Sequence, residues 1–223
     1  MACWSAENAT KAYLKALRMG KRGKEPDVAE FISAMAAGNN AQLMVIACAA
    51  IAGSTTLAMV AAAHQTGGRV VCILTGHDKL KPSQIALGHY VHFVEFVIGK
   101  AQTLLLNEFK GADFVLIDCN LDDHNEVSLV AQKGVNHGGG LVVGYNALGQ
   151  GQWLSEFNTH FLPIGEGLLV SRIGAGAGGG RFGGGGGGGG GKKSHWVVKV
   201  DEGTGEEHVY RIKTSTQRRE IEA

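Results

Sequence analysis

Apolar residues in this chain fall into short, nearly unbroken runs, separated by stretches where they recur every three or four positions. That alternation predicts strands buried on both faces, with helices between them to cover those faces. The first segment shows helical spacing alone. Ser5 with Asn8 predicts a capped helix carrying Ala9, Tyr13, Ala16 and Leu17 on one face. In "EPDVAEFISAMAAG", Pro26 sits in the first turn and Asp27 and Glu30 favour the helix dipole. Val28, Phe31, Ile32 and Met35 share the apolar face, and Gly38 ends this second helix.

From Gln42 onward the two periods alternate. "QLMVIACAA", "GRVVCILTG", "VHFVEFVIG", "ADFVLIDCN" and "GGGLVVGYN" predict five strands. The segment opening at Ser54, then "KPSQIALGH", "AQTLLLNEF" and "DDHNEVSLVAQKG", predict the helices between them. The expected class is α/β, a three-layer sandwich around a mostly parallel sheet. After Pro163, "GLLVSRI", "HWVVKVD" and "EEHVYRIK" predict antiparallel strands at the sheet's end, the last two joined through Gly203-Thr204-Gly205. One domain over residues 1–223 is expected. It is interrupted at 174–193 by "GAGAGGGRFGGGGGGGGGKK", whose glycine density predicts a disordered loop.

Composition narrows the function classes. At 223 residues and 44% hydrophobic, the chain can bury one sizeable core. A net charge of +1 gives no electrostatic reason to expect nucleic acid or an anionic membrane as partner. Cys3, Cys48, Cys72 and Cys119 are scattered and form no C-x-x-C pair, so they read as free thiols in a reducing compartment. No signal peptide and no unbroken spanning run is evident, so a cytoplasmic protein is expected. Trp4, Trp153 and Trp196 read as packing residues.

In an open parallel sheet, ligands sit beyond the carboxyl ends of the strands. That rule selects Gly53, Ser54, Thr55 and Thr56, then Thr75 to Asp78, Gly99 to Ala101, Asp118 to Asn120, and Tyr145 with Asn146. Backbone N–H groups at the Ser54 helix start favour a carboxylate or phosphate. A purely structural turn at Gly53 is an equal alternative, because neither G-x-G-x-x-G nor a P-loop lysine is present. The missing G-x-G-x-x-G also argues against a nicotinamide dehydrogenase. Asp118 ends the apolar strand "FVLID", where a carboxylate needs water, a partner or a ligand, or caps the next helix. His77 and His124 follow strand ends and are candidate bases beside Asp118. His89 and His92, at the third strand's entry, read as structural.

These motifs resemble those of the Rossmann-like, S-adenosylmethionine-dependent methyltransferases, and most of all the plant caffeoyl-coenzyme A O-methyltransferases. "AGSTTLA" stands where that family has "TGYSLLA", "FVIGKA" where it has "FREGPA", and "DFVLIDCN" where it has "DFVFVDAD". "GGLVVGYNAL" and "LPIGEGLLVSRI" likewise resemble "GGLIGYDNTL" and "LPVGDGITICRR". With its "HWVVKVDEGTGEEHVYRIK" ending, the whole chain is similar to a plant family of unknown function grouped with these enzymes.

The resemblance implies S-adenosylmethionine as cofactor and a small-molecule acceptor. It places Gly53 and Ser54 by the donor's amino-acid end and Gly99 and Ala101 near the adenine, with Thr55, Thr75, Lys100 and Asp118 as further cofactor-binding candidates. Asp118 would take a metal or substrate position, with Asn146 as second member of an Asp-Asn metal pair. The departures fall on acids: Ala47 and Ala49 stand at the end of strand one, and Leu74 replaces the ribose-binding carboxylate. Lys100 replaces the adenine-side acid, and Tyr145 the first residue of the metal pair. With one formal charge from Asp118 and Asn146, no bound metal is expected. Two functions stay open: a methyltransferase, or a non-catalytic binding or regulatory protein on the same scaffold.

Overall fold

In a computed structural model that describes residues 4–20, 28–148, 159–174, 194–200 and 207–213, alternation along the central strands sorts side chains onto two faces. The chain divides into two compact units, Met1–Gly180 and Arg181–Ala223. The first holds β1 (Leu43–Cys48), β2 (Arg69–Leu74), β3 (Val94–Ile98), β4 (Phe114–Asp118) and β5 (Gly138–Tyr145), all parallel. β6 (Thr159–Leu162) and β7 (Leu168–Gly174) complete a seven-stranded sheet of order β3-β2-β1-β4-β5-β7-β6, with β7 antiparallel to both its neighbours. This is the expected α/β sandwich.

Met44, Ile46 and Cys48 of β1, Val70, Cys72 and Leu74 of β2, and Phe114 and Leu116 of β4 point into one core. Helices α1 (Ala6–Met19), α2 (Val28–Gly38), α3 (Ser54–Thr66) and α4 (Leu80–Leu87) supply the other side of it. The intervening residues, among them Val45, Ala47, Val71, Ile73, Val115 and Ile117, form a second core. It is closed by α5 (Ala101–Leu106) and α6 (His124–Gly134) through Leu105, Val127 and Ala131. Because both faces are dry, these strands read as continuous apolar runs.

The Ser5 hydroxyl accepts from Asn8 N at 3.2 Å, as a helix cap should. The buried face of α1 is Ala9, Ala12 and Ala16, whereas Leu17, expected on it, is exposed. Small residues let α1 approach α2 closely. There Ser5 N donates to Gly38 O, and the half-exposed Trp4 ring covers Gly38 so closely that a Cβ there would fall 2.3 Å from it. Gly68 is equally constrained, since a Cβ would lie 2.5 Å from Ala41 O.

One strand was not foreseen: β6 pairs with β7. In the second unit β8 (Ser194–Val200) and β9 (Glu207–Lys213) pair antiparallel with each other as a two-stranded sheet. The partner that β7 needs on its outer side is supplied by β6. His89 and His92 lie in a 3-10 segment, Gly88–Phe93, that leads into β3. The glycine-rich stretch beyond Gly174, the Gly203-Thr204-Gly205 turn, Cys3, Pro26, Asp27, Trp153 and the Trp196 side chain lie outside the described residues.

Candidate functional site: a crevice at the strand tips

Strand order reverses between β1 and β4, so their carboxyl ends diverge into a crevice. After β1 the chain turns at Gly53 into α3. No side chain caps this helix, and nothing lies within 4 Å of where a Gly53 Cβ would stand. The turn therefore leaves room above the first N–H groups of α3, the helix end that favours negative charge. Ser54 is exposed and Thr55 half-buried.

A cavity of about 210 Å³ opens on the α5–α6 side of the sheet. Cys48 at the end of β1, Thr75 after β2, the Gly99–Ala101 turn after β3, and Asp123 in the loop after β4 line it. The structure thus gathers Thr75, Gly99, Lys100 and Ala101 around one space. Leu74 is not there. Strand alternation sends it to the opposite face, fully buried in the core against α3.

Two residues that sequence reasoning missed bear on this space, Asp123 by lining it and Lys79 through the lining Thr75. Lys79, in the 3-10 turn His77–Lys79, donates from Nζ to Ala49 O and to Thr75 Oγ1, both at 2.5 Å. An ammonium therefore ties the tips of β1 and β2 together. A lysine in a turn carries no periodic signal, and only its reach back to the strand end distinguishes it. Asp123 reads as a helix-start cap, yet at the N-cap of α6 it makes no side-chain cap bond. Its Oδ2 instead accepts from Gln102 Nε2 at 2.5 Å.

The other half of the crevice is closed. Asp118 is 5% exposed, so it does not face bulk water, and α6 begins too late for it to be that helix's cap. Oδ1 accepts from Asn146 Nδ2 at 2.9 Å and Asn120 N at 3.1 Å, and Oδ2 from Ala49 N at 3.4 Å. Tyr145, paired with Asp118 across β4 and β5, is 8% exposed. Burial first, then the charges of Cys48 and Asp118, push its hydroxyl well above the ordinary phenol range. Asn146 holds a left-handed φ of 58°, which asparagine tolerates better than most residues and which turns its amide toward Asp118. Burial and the Asp118 charge push the neighbouring Cys119 thiol up to about 12.

His77 is exposed on the turn after β2, and His124 uses Nδ1 on Leu121 O at 2.9 Å within its own helix start. Neither lines the cavity. Among the described residues no three His, Cys, Asp or Glu side chains converge as a metal site, and no helix is long and apolar enough to cross a membrane.

Comparison with known proteins agrees with this architecture. The model of a family described as "Protein of unknown function (DUF1442)" matches residues 1–212. The chain belongs to this family. No curated protein matches this DUF1442 chain. Solved structures do. A methyltransferase from Geobacter sulfurreducens is 17% identical with a TM-score of 0.53, over 76% of this chain and 90% of that one. The O-methyltransferase TomG from Streptomyces achromogenes, solved in complex with SAM, is 17% identical with a TM-score of 0.52, over 78% and 93%. An O-methyltransferase from Bacillus cereus in complex with SAH is 12% identical with a TM-score of 0.52, over 76% and 91%. At such identities the likeness establishes the fold, that of the Rossmann-like methyltransferases.

Proposed function

We propose that the protein is an S-adenosylmethionine-dependent methyltransferase acting on a small molecule. The observation that carries this reading is the cavity at the tips of β1 and β2, on a fold shared with methyltransferases solved with SAM and SAH. At about 210 Å³ the space is smaller than the ~300–1,000 Å³ of whole-ligand sites. It suits the adenosyl half of a donor, with the rest lying along the open face at Gly53. Thr75 and Asp123 would hold ribose hydroxyls, Gly99 lets a base approach the backbone, and the uncapped start of α3 would receive a carboxylate. When bound, the donor supplies an activated methyl group.

The chain's own contribution is chiefly positioning, because the Asp118 carboxylate is engaged by Asn146, Asn120 and Ala49. As a candidate base, Asp118 would first have to release those donors, and His77 and His124 stand outside the cavity. Isothermal titration with S-adenosylmethionine and S-adenosylhomocysteine tests the reading. Saturable heat with either supports it, and no heat and no thermal shift at millimolar ligand rejects it.

One observation favours a second reading. Leu74 is turned away, and Lys79 spans the tips where a carboxylate would serve the ribose diol. A binding or regulatory protein that keeps the cavity without the donor would look the same. It predicts that the natural chain binds neither donor nor product.

A further inference from the structure

The cavity lining carries one cation, Lys100, and one anion, Asp123, and a second ammonium, that of Lys79, sits on the lining Thr75. A diol is held best by a carboxylate accepting both hydroxyls, and dinucleotide folds place that acid at the end of the second strand. Here that end offers Leu74, buried on the far face, and then Thr75, whose hydroxyl receives the Lys79 ammonium. An ammonium has three donors. Two of Lys79's go to Ala49 O and Thr75 Oγ1, and the third has no partner among the described residues. Lys100 lines the cavity itself and is exposed. Neither lysine pairs with a carboxylate among the described residues. On the acidic side, Asp123 alone lines the cavity, and one of its oxygens is held by Gln102. Asp78 is exposed and folds back over Gly76.

We infer that this cavity prefers an adenosine bearing a phosphate on its ribose 2′- or 3′-hydroxyl over the unphosphorylated nucleoside, the phosphate being held by Lys100 on the lining and by Lys79, whose ammonium sits on the hydroxyl of the lining Thr75. Where a cationic side chain stands in for the ribose acid, the same position of a nucleotide fold accommodates a ribose phosphate. Phosphate oxygens accept charge-assisted hydrogen bonds that a hydroxyl does not match. The inference rests on the proposed function only in taking the cavity as an adenosyl site.

The test is isothermal titration of the full chain with adenosine, 2′-AMP, 3′-AMP, S-adenosylhomocysteine and inorganic phosphate. At least one of the two nucleotides should bind about tenfold or more tightly than adenosine, the factor a single charge-assisted bond supplies. Lys79→Gln should remove most of that advantage, read as the ratio of nucleotide to adenosine affinity in the same variant, and raised salt should shrink it. Lys100→Gln should lower it less. The salt series and Lys100→Gln keep the test open should Lys79→Gln fail to fold. If adenosine or S-adenosylhomocysteine binds and phosphate adds nothing, the inference is overturned while the adenosyl site stands. A phosphate advantage with no binding of S-adenosylhomocysteine supports the inference and rejects the donor reading. Inorganic phosphate binding as tightly as the nucleotides overturns the inference, and binding of none of these probes overturns both.

Discussion

At the tips of β1 to β3, Lys100 and a threonine hydroxyl held by Lys79 border an open space, whereas at the tips of β4 and β5 one carboxylate is enclosed by its own chain. Both halves descend from the same rule, that parallel strands deliver their loops to one end of the sheet. They differ in what the loops do there. The Ala49, Asn120 and Asn146 contacts of Asp118 join the loops after β1, β4 and β5, so that acid acts first as a clasp. The Lys79 contacts join only two loops and leave one donor without a partner among the described residues. A strand-end carboxylate is therefore not sufficient evidence of a reacting group, and a turn lysine beside it can matter more.

The largest expected effect breaks the closed half. Asp118→Ala strands several buried donors and should cost about 2–4 kcal/mol in urea unfolding, against a near-neutral result if the carboxylate were merely a site residue. A pair of acid insertions sharpens the contrast on the open side. Leu74→Asp buries an unpaired carboxylate in the α3 core and should cost a similar ~2–4 kcal/mol. Thr75→Asp sits at the cavity edge, should stay within about 0.5 kcal/mol of the natural chain, and should tighten S-adenosylhomocysteine binding. Equal destabilisation by both would undo the assignment of faces.

Burial also sets a pH dependence. Cys119, raised to about 12, and Tyr145, raised further, keep their protons in the fold longer than in the unfolded chain. Their stabilising contribution is intact below the unfolded thiol value near 9. It should fall as pH rises from there towards 12, with the loss visible in alkaline thermal scans. The smallest effect belongs to Lys100→Gln, which should leave the thermal midpoint unchanged and alter only the affinity for anionic ligands.

Much of the architecture was legible because both faces of the sheet are dry: runs such as "MVIAC" and "FVLID" have no other home in a chain of this size. β6 was not, since "THFL" is four residues long and only partly buried, so its pattern carries little signal. The motif comparison put the missing ribose acid at Leu74, but the period of two along β2 hands the cavity-facing position to Thr75. Lys79 and Asp123 escaped because turn residues obey no period. Their roles come from where the neighbouring strand tips lie, which is a property of the assembled sheet. The clasp around Asp118 was hidden for the same reason, since its partners come from positions 49, 120 and 146.

Cys48 lines the cavity, and its sulfur rests 3.5 Å from that of Cys72, which is not among the lining residues. Cys48 is 2% exposed, and its thiol shares the core of Met44, Ile46 and Leu74, on the face turned away from the cavity. Alkylation of this sulfur should therefore report opening of the sheet rather than occupancy of the crevice, so its labelling rate, followed by peptide mapping, gauges the local stability of the strand tips.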